Sequence, residues 1–451
     1  MKELSVQEEA ELLAQSLFFL LCVTLLVTCW NTVRFLKKSS LGFNLNEVWK
    51  CAVPLLLLGV VSQLTFRWLP KRTYARYNGL TAGVNTSFIP SLKTLDLERD
   101  QELIEFHDSL WIADLHCDAL LWPSRQLLTR NDFGQVDIPR LIEGNVKLQV
   151  FALVTGVPKS MAYSENYPPS YMNDSVTLKH LVELKPLSTI TSRLARALHA
   201  IKPLMAAANE ENPKVKVALS SADLIKHEQM RDFGKADFVS AIISVEGAQV
   251  LDDNTQNIDV LYDYGVRIFG FSHFYDTKYG GAEPGARKYG LTAAGRELLQ
   301  RLEEKKIIVD LAHASSALID DVLDVATRPV IVSHTGMRGV CETSRNLADH
   351  HAKRIAQLGG LIGITYFRPA VCGHPEDPVQ EIADQILYAV NLIGYEHVAL
   401  GSDWDGAVQT AFDAAGTANL TRALLAADLP PEQIHFIMGE NVKQFLLNNF
   451  A

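Results

Sequence analysis

Cysteine is scarce in this chain, an excess of positive charge is missing, and no stretch is compositionally degenerate; each absence closes off a class of answers. Only six cysteines occur in 451 residues, too few and too scattered for a disulfide framework. Cys22, Cys29 and Cys51 fall in an apolar N-terminal region, leaving Cys117, Cys341 and Cys372 elsewhere. Lys and Arg number 42 against 52 Asp and Glu, a formal charge of -10. A broad nucleic-acid-binding face would work against that mean field, so no nucleic-acid partner is expected. With 48% hydrophobic and 21% charged residues, 27 Gly and 18 Pro, collagen-like, low-complexity and disordered architectures are excluded. What remains is a folded chain, long enough for two or three small domains or for one large α/β barrel with an appendage.

A basic lead-in is also missing ahead of the first long apolar run. LFFLLCVTLLVTCW, from Leu17 to Trp30, is preceded by Glu3, Glu8, Glu9 and Glu11 and followed by Arg34, Lys37 and Lys38. That pattern argues against a cleaved signal peptide and for a retained membrane anchor. A second run, Ala52 to Phe66, is bracketed by Trp49, Lys50, Arg67 and Trp68 and contains Pro54; it reads either as a second span or as a buried or interfacial helix. The expectation is an anchor region over 1–76 in contact with membrane lipid, a polar linker over 77–100, and a catalytic body over 101–451. The body would be held at the membrane, on the extracytoplasmic side by preference, although basic residues flank both runs and do not fix the side.

Beyond Leu110 the chain falls into a rhythm of short apolar, β-branched runs separated by longer stretches of helical period. Eight such runs stand out: Trp111–His116, Val146–Val154, Val239–Glu246, Val266–His273, Ile307–His313, Pro329–His334, Leu361–Tyr366 and His397–Asp403. Runs apolar on both faces suit parallel strands covered by helices, and TAAGRELLQRLEEKK places Leu298, Leu299 and Leu302 on one helical side. The expected fold is therefore a (β/α)8 TIM-type barrel carrying an N-terminal transmembrane anchor.

In that fold the reactive groups stand at the C-terminal ends of the strands, on one shared face. The ends of these runs supply His116 and Asp118, Glu246, His273, His313, His334 and Asp403. A single histidine at a strand end is ordinarily a hydrogen-bonded core or loop residue. Four of only 13 histidines at strand ends, joined by three carboxylates, are not explained that way. Imidazole and carboxylate together are the donor set of Zn, Mn or Fe, with zinc the default and Mn2+ or Fe2+ as alternatives. His116 and Asp118, two residues apart on an extended strand, share a face and form a ready clamp. His313 and His334 make a second cluster, and Glu246 fits between the two as a bridge. Two ions about 3.5–4 Å apart would share a water, lower its pKa and polarise a carbonyl. Asp403, in GSDWDG, is placed to carry the proton to a leaving nitrogen, or else to sit beside the metal as a capping carboxylate. Asp405 reads as loop structure.

The strings DLHCDAL, SVEGA, VDLAHAS, VSHTG, SRNL and GSDWDG, in this order, together resemble the membrane dipeptidase family (renal dipeptidase-like, peptidase family M19) of the amidohydrolase superfamily. The resemblance runs from about Leu110 to the C-terminus and implies a barrel with two zinc ions that hydrolyses dipeptides, some with a C-terminal residue of D configuration. It implies that His116 and Asp118 bind one zinc, that Glu246 bridges, and that His313 and His334 bind the other. His273 would face the substrate carbonyl or the tetrahedral intermediate, Arg345 the substrate's free carboxylate, Asp403 would be the general acid/base, and Tyr366 would line the pocket. The stretch FYDTKYGG after His273 looks closer to bacterial members, and the animal pattern of cysteines is not evident, so a disulfide-linked dimer is not assumed, while a homodimer is left open.

The expected activity is zinc-dependent hydrolysis of L,L and also L,D dipeptides by a metal-bridging hydroxide. Two alternatives stand beside it: a dizinc amidohydrolase acting on a non-peptide amide or lactone, and a membrane-tethered binding protein without turnover.

Overall fold

The computed structural model describes residues 87–89 and 100–450, apart from 123–125, 184, 233–236 and 373–375. Eight of its strands close a ring: β1 (Ile112–Cys117), β2 (Val146–Val154), β3 (Val239–Glu246), β4 (Val266–Gly270), β5 (Ile308–Asp310), β6 (Ile331–Thr335), β7 (Leu361–Ile364) and β8 (Val398–Leu400). Each pairs in parallel with the next, β2 with β3 over Leu148–Val154, and β8 returns to β1 through Leu400 and Asp114. Parallel pairs need a crossover, and helices such as Ala293–Glu304, Ser316–Val325, Asp349–Gln357 and Pro378–Ile393 supply them. Their starts are written in the sequence. Thr292, Ser315 and Asp377 each accept a hydrogen bond from a backbone N–H three residues on, satisfying donors that a helix end leaves orphaned. Leu298, Leu299 and Leu302 are buried on one side of Ala293–Glu304, as the periodicity requires.

Two apolar layers hold the barrel. One lies between the strands and the surrounding helices. The other fills the interior with Ala113, Leu115, Leu148, Val150, Ile242, Ile268, Ile308, Ile331, Leu361 and Ala399, and Val442, Phe445, Leu446 and Phe450 of the C-terminal segment pack against them. Burying one such large side chain stabilises by roughly 1.5–3 kcal/mol, so the interior is a solid core and leaves reactive groups only at its ends. Three further short strands among the described residues lie outside the eight-strand pattern: Val215–Val217 pairs with the start of β3, and Ser87–Ile89 pairs with Thr410–Phe412.

The transmembrane anchor, and with it the lipid contact and the membrane localisation, has to be corrected. No helix among the described residues is long and apolar enough to cross a membrane. Pro378–Ile393, at 16 residues, falls short of the about 20 that a span needs and carries Glu381 and Asp384. The runs Leu17–Trp30 and Ala52–Phe66 themselves lie outside the described residues, as does the linker 77–100 except for Ser87–Ile89 and Asp100.

Candidate active site

The C-terminal ends of the strands bring seven of the proposed side chains into one buried cluster. The Glu246 carboxylate is central: its Oε1 lies 3.1 Å from His313 Nε2, 3.5 Å from His334 Nε2 and 3.8 Å from His116 Nε2, and its Oε2 lies 3.5 Å from His273 Nε2. His116 Nε2 is 3.5 Å from Asp118 Oδ2, and His313 and His334 approach through their Nε2 atoms at 3.0 Å. Three overlapping groups have donor atoms within 4.8 Å of one another: His116, Asp118 and Glu246; Glu246, His273 and His313; and His116, His334 and Asp403. His273 reaches the ligand cluster itself, which spacing did not indicate, and Asp403 stands beside His116 and His334, a place that its alternative reading as a capping carboxylate allowed.

Local backbone features aim these groups. The register of β1 against β2 is irregular between Asp114 and Cys117, so Ala113 and Leu115 fill the interior while His116 turns into the cluster one residue later. His313 and Asp403 lie beyond the ends of β5 and β8 with φ of 62° and 64°, in the left-handed region that non-glycine residues rarely adopt. Asp310 holds the first of these bends: its Oδ1 accepts from the N–H of Ala312 at 3.0 Å and of Ser333 at 2.9 Å. Asp405 ties the second down by accepting from Gln135 N–H at 2.8 Å. A side chain at Gly406 would strike both Asp403 and Asp118, so only glycine lets the two carboxylates close on the site.

Asp114 and Ser333 form a supporting shell that spacing alone did not reveal. Asp114 accepts from Gln149 Nε2 at 2.6 Å, Ser402 N at 2.6 Å and Ser402 Oγ at 2.8 Å, joining β1, β2 and the segment after β8. Ser333 Oγ meets His334 Nδ1 at 2.9 Å and orients its ring. The available signal was a carboxylate inside an apolar strand run, which needs partners if it is buried.

The electrostatics favour a cation. Burial disfavours charge on His116, but Asp118, Glu246 and Asp403 outweigh it and push its pKa up to about 10. Burial, then the charges of His116 and Arg345, hold His273 and His334 well below the usual histidine range, and burial followed by Arg345 does the same for His313; these are neutral imidazoles, the ligating form. Burial raises Glu246 well above the carboxylate range, with Asp118 adding to it, and raises Asp403 to about 7. His116 Nε2 and Asp118 Oδ1 are buried and make no hydrogen bond. A divalent ion would satisfy both atoms and the surplus negative charge, so the residues fit a metal centre. Asp320, His350 and His351 also converge elsewhere, but Arg354 already binds Asp320 at 2.7 Å.

Arg345 borders the cluster, with Nη2 3.0 Å from His334 O and 3.3 Å from His313 Nε2, and it lines a small crevice with Glu283 and His313. A disulfide between Cys341 and Cys372, with Cα atoms 5.7 Å apart, ties its loop to the segment after β7. Tyr366, just past the end of β7, is buried against Trp404 and Phe412, with ring centroids 5.6 and 5.1 Å away.

A sequence model of the membrane dipeptidase family (peptidase family M19) matches residues 100–447. Dipeptidase tcpJ of Claviceps purpurea is 25% identical over 339 residues, covering 74% of this chain and 72% of that protein. Among solved structures, the probable dipeptidase PvdM from Pseudomonas aeruginosa aligns with a TM-score of 0.63 at 18% identity, over 79% of this chain and 100% of that one. A metallo peptidase from Rhodobacter sphaeroides, liganded with a phosphinate mimic of the dipeptide L-Ala-D-Ala, gives 0.61 at 22% identity, over 76% and 99%. At these identities the two structures speak for the fold.

Proposed function

Since this chain belongs to the membrane dipeptidase family, peptidase family M19, and is a metal-dependent hydrolase of peptide-like substrates, we propose that it cleaves dipeptides, both L,L and L,D, with two zinc ions. The observation that carries this reading is the convergence of His116, Asp118, Glu246, His273, His313, His334 and Asp403 around a buried centre bordered by one guanidinium. His116 and Asp118 would hold one ion, His313 and His334 the other, with Glu246 between them. When bound, the ions supply Lewis acidity and a water reactive near neutral pH.

The chain's own groups do the rest. Arg345 binds the free carboxylate of the substrate, for which a planar guanidinium offers paired N–H donors. A ring N–H of His273 donates to the carbonyl oxygen as negative charge builds on it. Asp403, with a pKa raised to about 7 by burial, takes the proton of the attacking water and returns it to the departing amine. The L,D range is supported by the dipeptide mimic held by the Rhodobacter sphaeroides relative.

A panel of L,L and L,D dipeptides, tripeptides, amides and lactones, offered to the zinc-loaded full chain, tests the proposal. Cleavage of dipeptides of both kinds is expected. Turnover confined to lactones or non-peptide amides would overturn it.

A further inference from the structure

The segment 155–174, which leaves β2 for the helix Ser175–Val182, makes contacts at both sides of the barrel mouth. On one side the Tyr163 ring stacks on Phe367, just past β7, with centroids 6.0 Å apart at 29°. On the other, Asn166 donates from Nδ2 to Pro284 O at 3.0 Å and accepts at its backbone oxygen from Ala286 N–H at 3.0 Å, beyond β4. Around the ring, β7 stands three places from β2 in one direction and β4 two places in the other. A segment rooted on β2 that touches both must pass over the C-terminal face, above the metal cluster.

Its base and its turn are both fixed. Lys159 N–H bonds to Asn173 O and Ser175 N–H to Val157 O, each at 2.8 Å, and buried Asp174 pairs with Arg196 at 2.5 Å. At the turn, Asn166 accepts from Ala162 N–H at 2.9 Å and donates to Ala162 O at 2.6 Å, which presents Tyr163 at the tip with 55% of its surface exposed. The ring's landing place is held too, because the disulfide joins Cys372, after Phe367, to Cys341 of the Arg345 loop.

The stacking on Phe367 sets the Tyr163 ring at the mouth beside β7. In keeping with that place, burial and then Asp403 raise the pKa of its phenol, while Arg345 opposes them; these are the group proposed to protonate the leaving nitrogen and the group proposed to bind the carboxylate. In a dipeptide that nitrogen and that carboxylate belong to one residue, the C-terminal one.

We propose that Tyr163, stacked on Phe367, roofs the C-terminal residue of the substrate and determines which side chains are accepted there. This rests on the dipeptidase reading above. Small C-terminal residues fit beneath the ring pair, and bulky ones must displace it.

The test compares kcat/KM of the zinc-loaded full chain for dipeptides sharing an N-terminal residue and ending in Gly, L-Ala, D-Ala, Leu, Phe or Trp, in wild type and in Tyr163→Ala, Tyr163→Phe and Phe367→Leu. Tyr163 is exposed at a loop tip, so these variants are expected to fold. Removing the ring raises the ratio of Phe- or Trp-ending to Gly-ending substrates about tenfold or more, as pocket contacts of this size command; Tyr163→Phe keeps the wild-type ratio, and Phe367→Leu moves partway. An unchanged profile in both Tyr163→Ala and Phe367→Leu, with dipeptides still cleaved, would overturn the proposal alone. No cleavage of any dipeptide by the wild type would overturn the dipeptidase reading and this inference with it.

Discussion

Replacing Arg345 separates the proposed recognition of a substrate carboxylate from support of the histidine cluster that its guanidinium borders. Nη2 is shared between His334 O at 3.0 Å and the edge of His313 at 3.3 Å, so the other donors remain for substrate. Removing one partner of a desolvated, hydrogen-bonded charge pair costs about 2–5 kcal/mol, or about 30-fold to a few thousandfold in kcat/KM. Arg345→Ala is therefore expected to lose that much with a free dipeptide. Arg345→Lys keeps the charge but not the paired geometry and should fall between. The assay measures kcat/KM for one dipeptide as the free acid and as its C-terminal amide, in wild type and both variants. The amide lacks the carboxylate that Arg345 is proposed to bind, so it should be poor with wild type and should change by no more than about threefold in the variants. Equal losses with acid and amide would exclude carboxylate recognition and leave Arg345 as a brace for His313 and His334.

Glu246→Gln keeps the shape at the centre of four histidines but removes the anionic oxygens, so metal retained after gel filtration should fall and its affinity weaken at least about tenfold, the effect even supporting residues have; undiminished metal content would count against the bridging role. Asp310→Ala strands the buried N–H groups of Ala312 and Ser333, so thermal melting should show a loss of about 2–5 kcal/mol, with a melt like wild type arguing that the His313 bend holds itself. His107 is buried and its pKa is lowered to about 4 from 6.5, by burial above all. The unfolded chain therefore takes up this proton first, and stability should decline as pH falls from about 6.5 to about 4, by roughly 3 kcal/mol from this group. Urea titrations across that window should show a shallower decline in His107→Gln, and the same decline in both proteins would exclude His107 as a source.

The barrel was legible because its strands are apolar on both faces. Val146–Val154 and Val239–Glu246 appear in the structure with the bounds read from the sequence. Other strands end sooner than their apolar runs: His273, His313 and Asp403 each lie three residues past the last paired position. That is why they are free to turn inward, and hydropathy does not mark where pairing stops. Val215–Val217 escaped notice because three residues carry too little period to register. The site's members were visible as residue types at strand ends, whereas its brace was not. Asp114 and Asp310 look like interruptions of apolar runs until their partners, which are distant in sequence, are known. The Cys341–Cys372 bond and the crossing of Tyr163 depend on loops whose paths no local pattern fixes.

Metal-dependent hydrolysis at this cluster is tested by stripping the full chain with a chelator and titrating zinc back while following hydrolysis of one dipeptide that the intact chain cleaves. Activity is expected to vanish on chelation, to return with zinc and to reach its plateau at about two equivalents per chain, with His313→Ala failing to recover at those levels. Undiminished hydrolysis by metal-free protein, or full recovery in His313→Ala, would contradict it.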